Sequence, residues 1–196
     1  MREVELKAVL DSWDARRAKL LSAGAVSVFA GRLEDRRYDK EDRSLAARDI
    51  VLRLRLYRNS DGVRAELEFK GATSYDRGYK VREEVGSTVS DPDAIALVLA
   101  GLGYIVTRAI DRDIEQFEVN ETIVRFERYP RMDDLVEVEG EPDALERAIA
   151  TLGLPRAAFT AERLTDFAAR YELRTGLRAA LSDAELSGNA PPVREL

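Results

Sequence analysis

Glu3-Val4-Glu5-Leu6-Lys7 sets ionic and aliphatic side chains at alternating positions, and the same alternation returns in segment after segment of the chain. Arg53 and Arg55 alternate with Leu52, Leu54 and Leu56, while Glu66, Glu68 and Lys70 alternate with Ala65, Leu67 and Phe69. Further along, Arg82 and Glu84 oppose Val81 and Val85, Arg125 and Glu127 oppose Val124 and Phe126, and Glu137 and Glu139 oppose Val136 and Val138. Successive side chains of a strand point to opposite faces, so each segment has one aliphatic face and one ionic face. Two folds satisfy the pattern. An antiparallel sheet can pack its aliphatic face on helices and leave its charges in water. Alternatively the sheet curls into a barrel, with the aliphatic faces outward against helices and the ionic faces around a wet lumen. Solvated strand faces tend toward Thr, Ser and mixed polar residues, and Glu is a poor strand former, so a face made almost wholly of Glu, Arg and Lys calls for a compensating role.

The remaining segments supply the helices. Residues 12–23 carry Trp13, Ala15, Arg17, Leu20 and Leu21 at helical spacing before Gly24. Asn59-Ser60-Asp61-Gly62 is a turn between two strands. A second helix is expected over 92–102, with Asp91 as N-cap and Pro92 in the first turn, and a third from Pro142 to Gly153. These two align without a gap, Asp91-Pro92-Asp93-Ala94-Ile95 against Glu141-Pro142-Asp143-Ala144-Leu145, which suggests two related halves; a chance match of two well-capped helices is the alternative. A fourth helix is expected over 160–172. One domain over 1–175 and a loosely ordered polar tail over 176–196 follow from these patterns.

Composition narrows the chemistry. The chain has no Cys and no His, which removes disulfides, thiolate metal sites, cysteine nucleophiles and the commonest acid/base residue. No apolar run is long enough to span a bilayer and the N-terminus is charged, so a cytoplasmic protein is expected. A formal net charge of -6 argues against a nucleic-acid polymer as partner. A charged lumen rich in Arg suits phosphate oxygens, which the guanidinium fork meets two at a time. Carboxylates in the same space would repel such a ligand unless they held a hard divalent cation, and Mg²⁺ or Mn²⁺ fits that part.

The charged segments resemble the motifs of the CYTH domain, or triphosphate tunnel metalloenzyme, family, which includes class IV adenylyl cyclases, thiamine triphosphatases and inorganic triphosphatases. Glu3, Glu5 and Lys7 are similar to its ExExK signature; Asp35, Tyr38 and Asp39 to its D-x-[YF]-[YF]-D segment; Arg53 and Arg55 to its basic strand. Phe69-Lys70-Gly71, the pair Arg82 and Glu84, and the late Glu137 and Glu139 follow in the family's order. The resemblance implies an eight-stranded antiparallel β-barrel with helices packed outside, holding a triphosphate-containing small molecule and Mg²⁺ or Mn²⁺. It implies Glu3, Glu5 and Glu139 as metal ligands, with Glu137 and Glu127 as further acidic candidates. Lys7, Arg53, Arg55, Lys70, Arg82 and Arg112 are the implied substrate contacts, with Lys7 a catalytic base or, equally, a phosphate contact. Glu68 stands where the family often has Thr, Ile114 where a second cation is expected after Arg112, and Glu127 where Asp is common; Arg108 could compensate for Ile114.

Three readings of function stay open on this basis. Hydrolysis of tripolyphosphate, thiamine triphosphate or another organic triphosphate demands the fewest dedicated contacts. A cyclase making cyclic AMP and pyrophosphate from ATP needs a base pocket, for which Tyr38, Tyr75, Tyr79 and Phe117 are the candidates. A non-catalytic sensor of polyphosphate or nucleotide is the third. A homodimer is open too, although no exposed apolar stripe stands out in the sequence.

Overall fold

The computed structural model describes residues 2–77 and 79–189, and of Arg2 and Glu3 the backbone alone. In chain order come β1 (Arg2–Val9), α1 (Trp13–Ser22), β2 (Val26–Asp39), β3 (Val51–Asn59), β4 (Gly62–Lys70), β5 (Ser74–Asp76) and β6 (Tyr79–Val89). They are followed by α2 (Pro92–Gly101), β7 (Ile105–Val119), β8 (Thr122–Arg128), β9 (Leu135–Glu139), α3 (Pro142–Leu152), α4 (Leu164–Thr175) and α5 (Asp183–Leu186). The strands pair antiparallel in the order β1-β9-β8-β7-β2-β3-β4-β6, and β6 pairs back onto β1, so eight strands close into a barrel with β5 added on β6. The barrel reading of the alternation is therefore the correct one, and the solvated-sheet reading is not.

The aliphatic faces point outward, as the parity requires. Val4, Leu6 and Ala8 of β1, Val136 and Val138 of β9, and Phe117, Val124 and Phe126 of β7 and β8 form one cluster with Leu145, Ala148, Ile149 and Leu152 of α3 and Leu20 of α1. Burying each of these large side chains contributes about 1.5–3 kcal/mol, so the helices are held by the barrel's outer face. Arg16 ties α1 to α3 by donating to the carbonyls of Leu152 (3.0 Å) and Gly153 (3.0 Å), a cation at a helix C-terminus. On another part of the wall, α2 sets Ile95, Ala96 and Leu99 against Leu54, Leu56 and Ala65 of β3 and β4. Asp91 caps it as expected, accepting from the Ala94 amide, whereas Glu141 gives α3 no side-chain cap. The outer side of α2 exposes Leu97, Val98 and Leu102, an apolar face that the sequence reading passed over. No helix among the described residues is long and apolar enough to cross a membrane.

Of the stretch 176–196 the structure describes residues 176–189, and part of it packs on the barrel, while 190–196 lie outside the described residues. Ala180 pairs with Arg131, the Asp111 amide donates to the Leu181 carbonyl at 2.8 Å, and Ala180, Leu181 and Ser182 are buried. Leu181 and Phe167 of α4 pack with Ile110, Tyr129 and Leu135 of the barrel wall. In the lumen itself, Leu33, Tyr57 and Ile114 form a small apolar cluster with Phe29 alongside. Beside this cluster Gly31 lies opposite Ile114, and a Cβ there would run into the carbonyl oxygen of Arg58, a backbone atom with no freedom to step aside. Gly31→Ala is expected to lower stability by about 1–3 kcal/mol, read as a lower urea midpoint; an unchanged midpoint would refute the close approach.

Candidate active site

The ionic faces meet in one cavity of about 530 Å³ inside the barrel. Of the residues singled out from sequence, Glu5, Lys7, Arg53, Arg55, Lys70, Arg82, Arg112, Glu127, Glu137 and Glu139 all line it. The backbone of Glu3 lies opposite Arg82, and its side chain is outside the described residues. Ile114 contributes no charge; it packs against Leu33 and Tyr57, so the second cation expected there is replaced by apolar contact.

Two hubs organise the cavity. The Asp35 carboxylate, 1% exposed, accepts from Arg55 Nε at 2.7 Å and Nη2 at 3.1 Å, from Arg112 Nη1 at 3.0 Å and from Arg53 Nη1 at 3.4 Å. Burial alone would raise its pKa, but Arg53, Arg55 and Arg112 outweigh that and hold it well below the usual carboxylate range. At the second hub the Lys7 ammonium lies 2.6 Å from Glu137 and 2.9 Å from Glu5. Arg125 donates to Glu137 at 2.7 Å, and Lys80 pairs with Glu5. Burial opposes the charge on Glu5, yet Lys7, Lys80 and Lys70 together outweigh it and the pKa falls to about 2. Burial likewise works against the Lys7 charge, but Glu137, Glu5 and Glu127 raise its pKa overall. With Glu5 and Glu137 facing it directly, Lys7 is held as an ammonium.

The remaining candidates have partners of their own. Glu127, expected among the metal ligands, has both oxygens engaged: Arg112 Nε donates to one at 2.8 Å and the Tyr129 hydroxyl to the other at 2.6 Å. The carboxylate thus joins Arg112 to Tyr129. Glu68 accepts from Arg53 Nε at 2.7 Å and lies 3.7 Å from Arg55 Nη1, so a carboxylate sits on two cations expected to take phosphate. Lys70 pairs with Glu84, and Arg82 donates to the carbonyl of Gly71 at 2.7 Å. None of the four aromatic residues weighed as base platforms faces the cavity. Tyr38 is in the α2 cluster, Phe117 is fully buried outside the wall, Tyr79 donates to Glu146 of α3, and Tyr75 is exposed. The tyrosines that do line the cavity are Tyr57 and Tyr129.

Sequence reasoning gave no role to Asp35, Arg37, Lys80 or Arg125, although each has lumen parity. The signal was present in the alternation itself: Asp35 and Arg37 sit in phase on β2, and Arg125 is in phase with Glu127.

The acidic residues suit a hard divalent cation in donor chemistry, since all are carboxylate oxygens. The Lys7 ammonium, held between Glu5 and Glu137, stands in for such a cation. Among the described residues, no three carboxylates are already gathered as a cage, and Glu139 stays with Arg125 Nη2 at 4.0 Å.

Comparison with known proteins agrees with this geometry. The family described as the CYTH domain matches residues 1–148. Among solved structures, a Vibrio parahaemolyticus protein proposed to be an adenylate cyclase is 21% identical, with a TM-score of 0.71 over 85% of this chain and 97% of its own. A Pyrococcus horikoshii protein is 16% identical, with a TM-score of 0.68 over 84% of this chain and 98% of its own. The proposed adenylyl cyclase HpAC1 from Hippeastrum, described as having a dominant triphosphatase activity, is 15% identical, with a TM-score of 0.62 over 100% of this chain and 99% of its own. At these identities the likeness carries the fold. No curated protein matches the chain.

Proposed function

Because the chain belongs to the CYTH domain family, we propose that its lumen binds a triphosphate-containing small molecule together with Mg²⁺ or Mn²⁺ and hydrolyses it. The observation that carries this reading is the convergence of Arg53, Arg55, Lys70 and Arg112 with Glu5 and Glu137 on one enclosed cavity. Phosphoryl transfer asks for positioning and charge neutralisation more than covalent chemistry, so the lack of His and Cys is no handicap. Arg53, Arg55, Lys70, Arg82 and Arg112 clamp the phosphates. Lys7, protonated, contributes a further positive charge beside them. Glu5, Glu137 and Glu139, with Glu3 as a further candidate, hold the metal, which when bound neutralises charge and polarises phosphoryl oxygens. Water attacks the terminal phosphorus in line, the bridging P–O bond breaks and its electron pair leaves with the diphosphate end against the arginines; of the water's two protons one stays on orthophosphate and the other passes to the leaving diphosphate oxygen.

Hydrolysis is favoured over cyclisation because Tyr38, Tyr75, Tyr79 and Phe117 lie off the lumen, and the two tyrosines that line it are already engaged, Tyr57 under the Arg64 guanidinium at 4.0 Å and Tyr129 through its hydroxyl on Glu127. The test is a panel of tripolyphosphate, thiamine triphosphate and ATP, each with Mg²⁺ or Mn²⁺, assayed for phosphate, pyrophosphate and cyclic AMP. Phosphate release is the expected result; cyclic AMP with pyrophosphate would establish the cyclase, and binding without turnover a sensor.

Glu68 offers a separate check, because its carboxylate competes with substrate for Arg53 and Arg55. Like charge held against an anionic ligand costs affinity, so Glu68→Thr is expected to tighten tripolyphosphate binding by about tenfold. Weaker binding, measured by calorimetry, would mean that Glu68 positions the arginines and does not compete.

A further inference from the structure

Resting on the reading that the lumen takes a metal and a phosphate chain, we infer that Lys7 is the resident counter-cation of Glu5 and Glu137, which keeps a divalent ion from binding alone and admits it together with the phosphate chain. Glu5 and Lys7 are in phase on β1, and the register sets Lys7 directly opposite Glu137 of β9. The Lys7 backbone is fixed on its other edge too, where its amide donates to the Thr160 carbonyl at 2.9 Å and the Thr160 amide donates back at 2.8 Å. From that position the ammonium reaches one oxygen of each carboxylate, Glu137 at 2.6 Å and Glu5 at 2.9 Å. The opposite oxygens are engaged as well: Arg125 donates to that of Glu137 at 2.7 Å, and Lys80 pairs with that of Glu5.

Three cations thus share two carboxylates, and a divalent ion arriving alone meets two obstacles. It enters beside Arg125 and Lys80 as a further positive charge. It also has to evict Lys7, and a buried ammonium stripped of its partners is costly. Glu127 gives Lys7 no refuge, since Arg112 and the Tyr129 hydroxyl hold its two oxygens. A phosphate chain removes both obstacles at once. Its oxygens accept from the displaced ammonium in charge-assisted hydrogen bonds, and its negative charge offsets the added metal. Glu68 on Arg53 is the mirror case, a carboxylate holding the place of a phosphate. Metal and phosphate chain therefore bind with positive coupling, which is reciprocal by linkage. The ligand that opens the site is a polyphosphate carrying its own divalent ion.

The experiment is titration calorimetry and thermal melting of the full chain with Mn²⁺ alone, in phosphate-free buffer. Lys7→Gln is expected to bind Mn²⁺ roughly 10- to 100-fold tighter than wild type, the scale of removing one charge about 4 Å from a divalent ion in a solvated site. Adding Glu5→Gln to Lys7→Gln should cancel the gain, and Lys7→Arg, which keeps the cation, should bind as weakly as wild type. A gain that survives Glu5→Gln places the metal elsewhere and overturns the inference, as does wild type binding Mn²⁺ as tightly as Lys7→Gln. Without metal, Lys7→Gln should melt below wild type, because Glu5 and Glu137 lose the cation they share, and Mn²⁺ should restore it; an unchanged melting temperature would contradict the pairing. Wild type carries the test even if Lys7→Gln does not fold. Mn²⁺ alone should raise its melting temperature no further than that of Glu5→Gln, whereas Mn²⁺ with tripolyphosphate should raise it beyond tripolyphosphate in chelator. If Mn²⁺ alone raises wild type further than Glu5→Gln, the inference falls while the lumen reading stands. If Mn²⁺ with tripolyphosphate gives no rise, the lumen reading falls and takes the inference with it.

Discussion

Asp35→Ala is expected to cost about 3–5 kcal/mol of folding stability, the loss typical of removing one partner from a buried ion pair. The side chain neutralises Arg53, Arg55 and Arg112 from one carboxylate, and all three arginines are buried. Without it Arg55 loses its two-point partner, and only Glu68 and Glu127 remain to oppose the repulsion among the three in a space of reduced dielectric. Asp35→Asn keeps the shape and removes the charge, so a comparable loss for Asn identifies the charge as the cause. Urea unfolding at two pH values adds a sign. The folded pKa of Asp35 lies well below its ordinary value, so its stabilisation is fully present above the unfolded pKa and is lost as pH falls through the folded one. The gap between wild type and Asp35→Asn should therefore narrow between about pH 7 and about pH 3. A gap that stays constant or widens on acidification would contradict the hub.

On tripolyphosphate, Arg55→Gln is expected to lower kcat/KM by roughly 100- to 1000-fold, the scale of losing one fixed donor aimed at developing negative charge. Two nitrogens of Arg55 bind Asp35, while Nη1 has longer contacts, 3.4 Å to the Tyr57 hydroxyl and 3.7 Å to Glu68. That edge of the fork is the one left for phosphate oxygens. Asp35 keeps Arg53 and Arg112 in the variant, so the deficit should appear in turnover with the fold intact. Arg55→Lys retains a charge and loses the fork; activity between the two is the expected order. Wild-type turnover by Arg55→Gln would remove Arg55 from the clamp.

What the sequence made legible was whatever depends on parity and capping. EVELK and its companions keep charge strictly in phase, so membership of the lumen could be read from each strand separately. Asp91-Pro92 located α2 for the same local reason. Partnership across strands was less accessible, because it depends on register. Glu127 looks like any acidic candidate until β7 brings Arg112, and the chain end of β8 brings Tyr129, to its two oxygens. The aromatic candidates were misjudged although parity was available: Tyr38 is out of phase with Asp35 and Arg37, and Phe117 with Arg112, whereas Tyr57 is in phase with Arg53 and Arg55. The packing of residues 180–182 rests on the pairing of Ala180 with Arg131 and on contacts of Leu181 with Phe167 and Ile110, and a short polar stretch carries no local sign of such distant partners.

In the proposed function, ionic side chains from separate strands converge on a metal-bearing phosphate chain inside the barrel. Crystals grown with Mn²⁺ and tripolyphosphate test it most directly, through the anomalous signal of the metal. A Mn²⁺ peak at Glu5 and Glu137 and phosphate density against Arg53 and Arg55 are the expected result. Tripolyphosphate bound on the outer surface, with the lumen still closed by its own Lys7 and Asp35 pairings, would contradict it.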